Sequence, residues 1–121
     1  GGKTPEETYD LFISALKAGD IELASKYFVL EKQDNWLDTL NKLKENQSFV
    51  LFVEERERLK NKWQKVETNN PNTVAFRCNS LIEKETKSEF EGQKITIPAG
   101  NYTNETIFNK YPSGVWKIAT L

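Results

Sequence analysis

The chain has 121 residues, with 17 basic side chains, 18 acidic side chains and no histidine. This length is enough for one domain with a single modest core. Hydrophobic residues make up 37% and aromatic residues 12% of the chain, a mixture typical of a globular protein rather than a disordered one. A formal net charge of −1 argues against a nucleic-acid-binding protein, because such a protein carries a basic excess.

Two helices are predicted at the start of the chain, within a single domain over residues 4–121. Thr4 can cap the first helix, Pro5 suits its first turn, and Glu7 completes a capping box. Gly19 is the expected left-handed stop, and Asp20 can cap the second helix. The residues predicted to face the core are Tyr9, Phe12, Ile13, Leu16, Leu23, Ala24, Tyr27 and Phe28.

Two further helices are predicted before residue 63. DNWLDTLNKLKENQ places Trp36, Leu40 and Leu43 on one side of a third helix. The apolar run 49–53 fits either a buried strand or a helix. We favour a helix, because one face continues through Phe49, Phe52, Val53, Arg56, Leu59 and Trp63. Glu54 and Arg58 are then one turn apart and can form an ion pair.

Strand patterns follow Trp63. WQKVET and TVAFRCNSLIE flank the turn sequence NNPN and predict a hairpin. Its second strand places Val74, Phe76, Cys78 and Ile82 on the core side and Arg77, Asn79 and Glu83 on the other. KSEFEGQKITIPAG predicts a charged loop and a short strand around Ile95 and Ile97, which Pro98 ends. NYTNETIFNKY and GVWKIATL predict a last hairpin across PSG.

This order of elements predicts an α+β fold, with N-terminal helices packed on a curved antiparallel sheet. The shared core is expected to contain Phe12, Leu16, Phe28, Phe76, Trp116 and Ile118. Simple alternation leaves Val115, Ala119 and Leu121 on the open face of the sheet, beside Arg77 and Lys117. Such a mixed surface suits a monomer or a weak homodimer better than an obligate one.

The two ends of the chain resemble one family. The opening TPEETYDLFISALKAGDIELASKYF resembles the first helices of nuclear-transport-factor-2-like domains through Phe12, Ala15, Gly19, Asp20 and Ala24. The closing YPSGVWKIATL resembles the final strand of the same cystatin-like superfamily through Trp116, Lys117 and Ile118. The similarity is to small bacterial lipoprotein or membrane-anchored members of unknown function. It implies a cone-shaped α+β roll with a ligand-binding pocket and frequent dimerisation through the sheet, but no particular activity.

The leading hypothesis is a noncatalytic binding or interaction module for an unknown small molecule or protein, and not for nucleic acid. We expect it to be tethered at or outside a bacterial cell membrane by a missing N-terminal segment, because residues 1–3 resemble a cleavage scar or a truncated linker; a cytoplasmic location stays open. The alternative is a small lyase or isomerase that uses a carboxylate in the cone pocket. Without histidine, that enzyme would need a buried carboxylate beside a tyrosine.

Four residues are candidates for ligand binding: Arg77, Tyr102, Tyr111 and Glu105. If Arg77 points into the cone, its guanidinium can bind an acidic ligand. If it points outward, it pairs with a carboxylate of the neighbouring strand, which is the arrangement we favour. Glu83 and Glu105 are the carboxylates considered for proton transfer, and both are expected to be solvated, so no catalytic residue is assigned.

The sequence predicts no cofactor and no metal site. Cys78 is the single cysteine and has no metal-ligand motif around it. Its strand-like surroundings predict a small buried apolar side chain rather than a reactive thiol. No glycine-rich phosphate loop, nucleophile elbow or acidic calcium loop is present.

Overall fold

The computed structural model describes residues 1–90 and 93–121, except for the side chains of Ser80, Thr86, Ser88, Glu89, Phe90, Gln93 and Ile95. Its α-helices are α1 (Pro5–Lys17), α2 (Ile21–Ser25), α3 (Gln33–Glu45) and α4 (Phe49–Lys60), with a 3-10 turn at Leu30–Lys32. Its strands are β1 (Gln64–Val66), β2 (Thr73–Ile82), β3 (Thr86–Phe90), β4 (Gln93–Ile97), β5 (Gly100–Lys110) and β6 (Trp116–Thr120). The predicted α+β class, with N-terminal helices packed on an antiparallel sheet, is confirmed.

The first two helices begin where the sequence predicts, and α1 ends before Gly19 as expected, but α2 ends at Ser25 and does not reach Tyr27 and Phe28. The Thr4 hydroxyl oxygen accepts a hydrogen bond of 3.1 Å from the Glu7 N–H, and Pro5 is the first residue of α1. The Asp20 carboxylate accepts a hydrogen bond of 3.1 Å from the Leu23 N–H at the start of α2. Gly19 has a φ of 76° between the two helices, a conformation that glycine adopts without a Cβ clash.

The buried face of α2 differs from the prediction. Leu23 was expected to face the core, but it is 42% exposed. The buried stripe instead runs through Ile21, Ala24, Ser25 and Phe28. A helix of five residues can bury only one side, and Ile21 and Ala24 lie on the side that faces the core.

The helix prediction for the apolar run 49–53 is confirmed, but the predicted ion pair within α4 is wrong. Arg58 binds Glu55, with 3.1 Å between Arg58 Nε and Glu55 Oε2, and not Glu54. The hydrogen bond from Arg58 lowers the pKa of the Glu55 carboxyl. Spacings of three and four residues both bring side chains together on a helix, so the sequence alone did not decide between the two glutamates. Glu54 therefore does not share in the ion pair of Arg58.

Four strands form the antiparallel sheet, in the order β1-β2-β5-β6. Both predicted hairpins are confirmed, since β1 pairs with β2 and β5 pairs with β6. The prediction of a charged loop is wrong in part. The segment includes β3, which pairs with β4 in a separate two-stranded sheet. Lys87 and Lys94 are exposed in this hairpin, so it accommodates charged side chains without burying them. Residues 91 and 92 of the predicted loop lie outside the described residues.

A β-bulge changes the faces of β6. The register pairs Phe108 with Ile118 but Ile107 with Thr120, so Ala119 is the extra residue. The alternation of side chains reverses beyond this point. Leu121, predicted to lie on the open face, packs against the core instead. Periodicity alone does not reveal a bulge, and this explains the wrong prediction.

The core lies between the helices and the sheet. Every residue predicted for it is buried: Phe12, Leu16, Phe28, Phe76, Trp116 and Ile118. The N-terminal end also packs here. The Gly2 N–H donates to Thr8 Oγ1 (2.9 Å), Thr8 Oγ1 donates to the Trp116 carbonyl (2.9 Å), and the Trp116 N–H donates to the Gly2 carbonyl (2.9 Å). These bonds hold the start of the described chain against β6.

Candidate functional site

Aromatic side chains fill the space between the helices and the sheet. The Trp63 ring stacks on Phe76 with 4.5 Å between ring centroids, and Tyr9 meets Trp63 edge-on at 4.6 Å. Phe108 approaches Trp63 and Phe76 at 6.0 Å each, in edge-to-face contacts. These are the offset and T-shaped geometries that aromatic rings prefer in packed cores. The aromatic core therefore occupies the space that a deep ligand pocket would need at these positions.

The fully buried polar residues of this core are neutral, although the Nε atom of the half-buried Arg56 is also enclosed and has no hydrogen-bond partner among the described residues. The buried polar residues among those described are Thr8, Ser25 and Thr106. The Tyr9 hydroxyl donates to the Arg56 carbonyl at 2.9 Å, and burial raises the pKa of Tyr9 well above its usual range. A phenol held neutral and bonded to a backbone carbonyl stabilises the core. Within the described side chains, no carboxylate is buried beside a tyrosine.

The four predicted ligand-binding residues lie in three different places. Arg77 and Glu105 are paired across β2 and β5, with 3.1 Å between Arg77 Nη2 and Glu105 Oε2. Tyr102 lies opposite Ser80, so it points to the other face of the sheet, and its hydroxyl donates to the Pro98 carbonyl.

Tyr111 follows the far end of β5 and accepts a hydrogen bond from the Leu30 N–H. It lies nine positions beyond Tyr102 along an extended strand, a span of about 30 Å. The favoured outward ion pair of Arg77 is confirmed. Glu83 is exposed beyond the end of β2. The assignment of Arg77, Glu105, Tyr102 and Tyr111 as ligand-binding residues stays a prediction.

A groove between α1 and α4 is the candidate site on the helical side of the molecule. Its apolar part is a recess of about 330 Å³, with Leu16, Phe49 and Val53 at its base and Val50 at its rim. Val50 is 64% exposed, and its neighbour Leu51, which does not line the recess, is 69% exposed. We call this recess the α1/α4 recess. Its volume lies at the lower end of the range that small-molecule pockets occupy.

Charged side chains border the α1/α4 recess. Lys17 and Glu57 form an ion pair of 2.8 Å that links α1 to α4 across the groove, and Lys60 pairs with Asp10 farther along it. Glu54 also lines the recess. The arrangement offers an apolar base with a mixed-charge rim. It can hold an apolar group and orient a polar one, but it contains no set of groups suited to proton transfer.

One sequence signal for this recess was available and was not used. The apolar run 49–53 has five consecutive apolar residues, whereas the buried stripe of a helix needs only Phe49, Phe52 and Val53. Val50 and Leu51 are therefore surplus to the core. Of these two, Val50 lines the α1/α4 recess and Leu51 does not, so only the exposed Val50 indicates this contact surface.

The described residues contain no group of three or more histidine, cysteine, aspartate or glutamate side chains that could hold a metal ion. Cys78 is buried and free, as predicted. Among the helices described, none has both the length and the apolar character required to cross a bilayer. Comparison of the chain with protein-family models, with curated proteins and with solved structures found no match.

Proposed function

We propose that this chain is a noncatalytic binding module of the nuclear-transport-factor-2-like type, which contacts its partner through its outer surface. The observation that carries the proposal is the aromatic core: Trp63, Phe76, Phe108 and Tyr9 occupy the space in which a ligand of the cone would sit. The lyase or isomerase alternative needs a buried carboxylate, and the described side chains supply none.

The α1/α4 recess is the contact surface that we assign to this module. It combines an apolar base with the exposed apolar side chain of Val50 at its rim, which are features that a binding surface needs. The partner is a small molecule or a protein that presents an apolar group. The resemblance to membrane-anchored bacterial domains supports a location at or outside the cell membrane.

The binding surface can be tested by amide chemical-shift mapping with a library of small apolar amines and apolar acids. We expect the shifts to cluster at Leu16, Phe49 and Val53. The variant Val50→Lys places a charge at the rim of the recess and should abolish the shifts, whereas Leu51→Lys adds the same charge at a similarly exposed position outside it and should leave them unchanged.

The opposite pattern would contradict the proposal. Shifts at Trp63, Phe76 and Phe108 that persist in Val50→Lys would place the ligand inside the cone and would favour the enzyme alternative. The location is tested separately, by fractionation of cells that express the native gene. Recovery of the protein from the cytosol alone would contradict the proposed extracytoplasmic or membrane-anchored location without affecting the binding surface.

A further inference from the structure

The two edges of the four-stranded sheet differ in how far other segments of the chain cover them. At the β6 edge, the Trp116 N–H donates to the Gly2 carbonyl (2.9 Å), and the Ile118 N–H donates to the Tyr27 carbonyl (2.8 Å). The Ile118 carbonyl also accepts from the Val29 N–H (2.9 Å). Chain segments outside the sheet therefore cover this edge. Covering an edge in this way prevents it from pairing with another chain.

At the other edge, β1 covers only part of β2. The Lys110 N–H donates to the Asn72 carbonyl, so Asn72 directs its backbone groups toward β5. Because backbone groups alternate in direction along an antiparallel strand, the even-numbered residues of β2 face β5 and the odd-numbered residues face the opposite edge. The hydrogen bond from the Thr68 hydroxyl to the Thr73 carbonyl agrees with this assignment.

Asn79 and Leu81 are the odd-numbered residues of β2 that lie beyond β1. Ala75 and Arg77 are opposite Val66 and Gln64, and the pairing of β1 ends there. Within the described chain, the only hydrogen bond to the outward backbone groups of Asn79 and Leu81 is the weak one from the Cys78 thiol to the Asn79 carbonyl, at 3.8 Å. The edge from residue 78 to residue 82 is therefore available for a further strand.

The sequence of this edge lacks the charged residues and the proline that commonly prevent strand pairing. The segment Cys78–Ile82 contains no proline and no charged residue. The Leu81 side chain is 64% exposed. Natural edge strands avoid unwanted pairing with lysine, proline or a bulge, and an uncharged edge with an exposed leucine is a template for another strand.

We propose that this edge pairs with the same edge of a second copy of the chain, antiparallel about a two-fold axis at Ser80. In this register Asn79 of each copy lies opposite Leu81 of the other, and their outward N–H and C=O groups form two hydrogen bonds in each of the two pairs. Cys78 lies opposite Ile82 of the second copy on the core-facing side. The two four-stranded sheets become one continuous sheet.

Charge complementarity favours a second copy over an unrelated strand. The pairing ends at residues 78 and 82, because Gln64 of β1 already lies opposite Arg77. Glu83 follows the last paired residue, and the two-fold axis brings it toward Arg77 of the other copy. The Arg77 side chain is 49% exposed although it is paired with Glu105, so it has room for a second carboxylate. The same contact occurs twice in the dimer.

The dimer is expected to be weak. The paired segment has only five residues in each copy, and a stable interface buries about 1,200–2,000 Å² in total, more than so short a strand pair provides. A dissociation constant in the micromolar range or weaker follows. This inference is independent of the α1/α4 recess, which lies on α1 and α4.

The test is sedimentation velocity over a series of protein concentrations, together with amide hydrogen exchange. We expect a dimer that forms reversibly, with the Asn79 and Leu81 amides becoming protected as the concentration rises. Leu81→Lys should weaken association by about tenfold or more. The matched control is Leu30→Lys, since Leu30 is 70% exposed on a different part of the surface. This variant should associate as the unchanged chain does. Glu83→Lys should also weaken the dimer.

Three results would overturn the proposal. The first is a monomer at about 1 mM, far above the micromolar range, with the Asn79 and Leu81 amides unprotected. The second is a dimer that Leu81→Lys leaves unchanged, which would place the interface elsewhere. The third is protection of the edge by an added extended peptide but not by the chain itself, which would make a different strand the occupant. Circular dichroism of each variant verifies that it is folded.

Discussion

Replacing Trp63 by alanine tests the aromatic core most directly. Trp63 lies between α4 and β1, where its ring contacts Phe76, Tyr9 and Phe108 at centroid distances of 4.5, 4.6 and 6.0 Å. Truncation of a fully buried aromatic side chain to alanine costs about 3–5 kcal/mol. Because Trp63 is only half-buried, we expect a loss at the lower end of that range, about 3 kcal/mol in the free energy of unfolding.

Urea denaturation measures this loss, since Trp36 and Trp116 remain as fluorescent reporters. The matched control is Tyr102→Ala, because Tyr102 is 37% exposed and lies outside the core cluster, and it should cost less than about 1 kcal/mol. The three ring contacts would each add to the loss if they form in solution. A loss below about 1 kcal/mol for Trp63→Ala would refute the packed aromatic core and with it the main support for a noncatalytic module.

Three further predictions follow from buried groups. Phe12→Ala and Trp116→Ala should each lower the free energy of unfolding by about 3–5 kcal/mol in urea denaturation, and a loss below about 1 kcal/mol for both would show that these side chains face solvent. Tyr9 has a raised pKa in the folded state, so the stability it contributes is present below its unfolded value of about 10 and declines as the pH rises from there toward the folded pKa. Unfolding measured against pH should show this decline in the unchanged chain and lack it in Tyr9→Phe. Thr8→Val removes both the acceptor of the Gly2 N–H and the donor to the Trp116 carbonyl, and it should destabilise the chain by about 1–3 kcal/mol; equal thermal stability of the two proteins would contradict the buried hydrogen-bond chain.

Much of the fold could be predicted from the sequence because the relevant signals are local. Thr4, Asp20 and Gly19 act on backbone groups within a few residues of themselves, so their roles as caps and as a stop do not depend on the rest of the chain. The same is true of the turn sequences between the paired strands. The period of the apolar residues then separates helices from strands, and the order of these elements gives the α+β class.

The candidate site could not be predicted in the same way. The α1/α4 recess is formed by two helices that are far apart in sequence, and its depth depends on how closely they approach. The outward ion pair of Arg77 was predicted, but its partner was not, because the register of β2 against β5 decides that Glu105 lies opposite Arg77. The choice of Arg58 between Glu54 and Glu55 depended on side-chain geometry that both spacings allow.

The sequence by itself therefore determined the helix starts, the two hairpins of the main sheet and most of the core, because each depends on local backbone preferences and on the spacing of apolar residues. Only the tertiary structure decided which surfaces are covered. The bulge at Ala119 turned Leu121 toward the core, and the short length of β1 left Asn79 and Leu81 paired with β5 on one side but with no strand of the described residues on the other. The physical reason is that exposure of a residue depends on segments distant in sequence, whereas its local conformation does not.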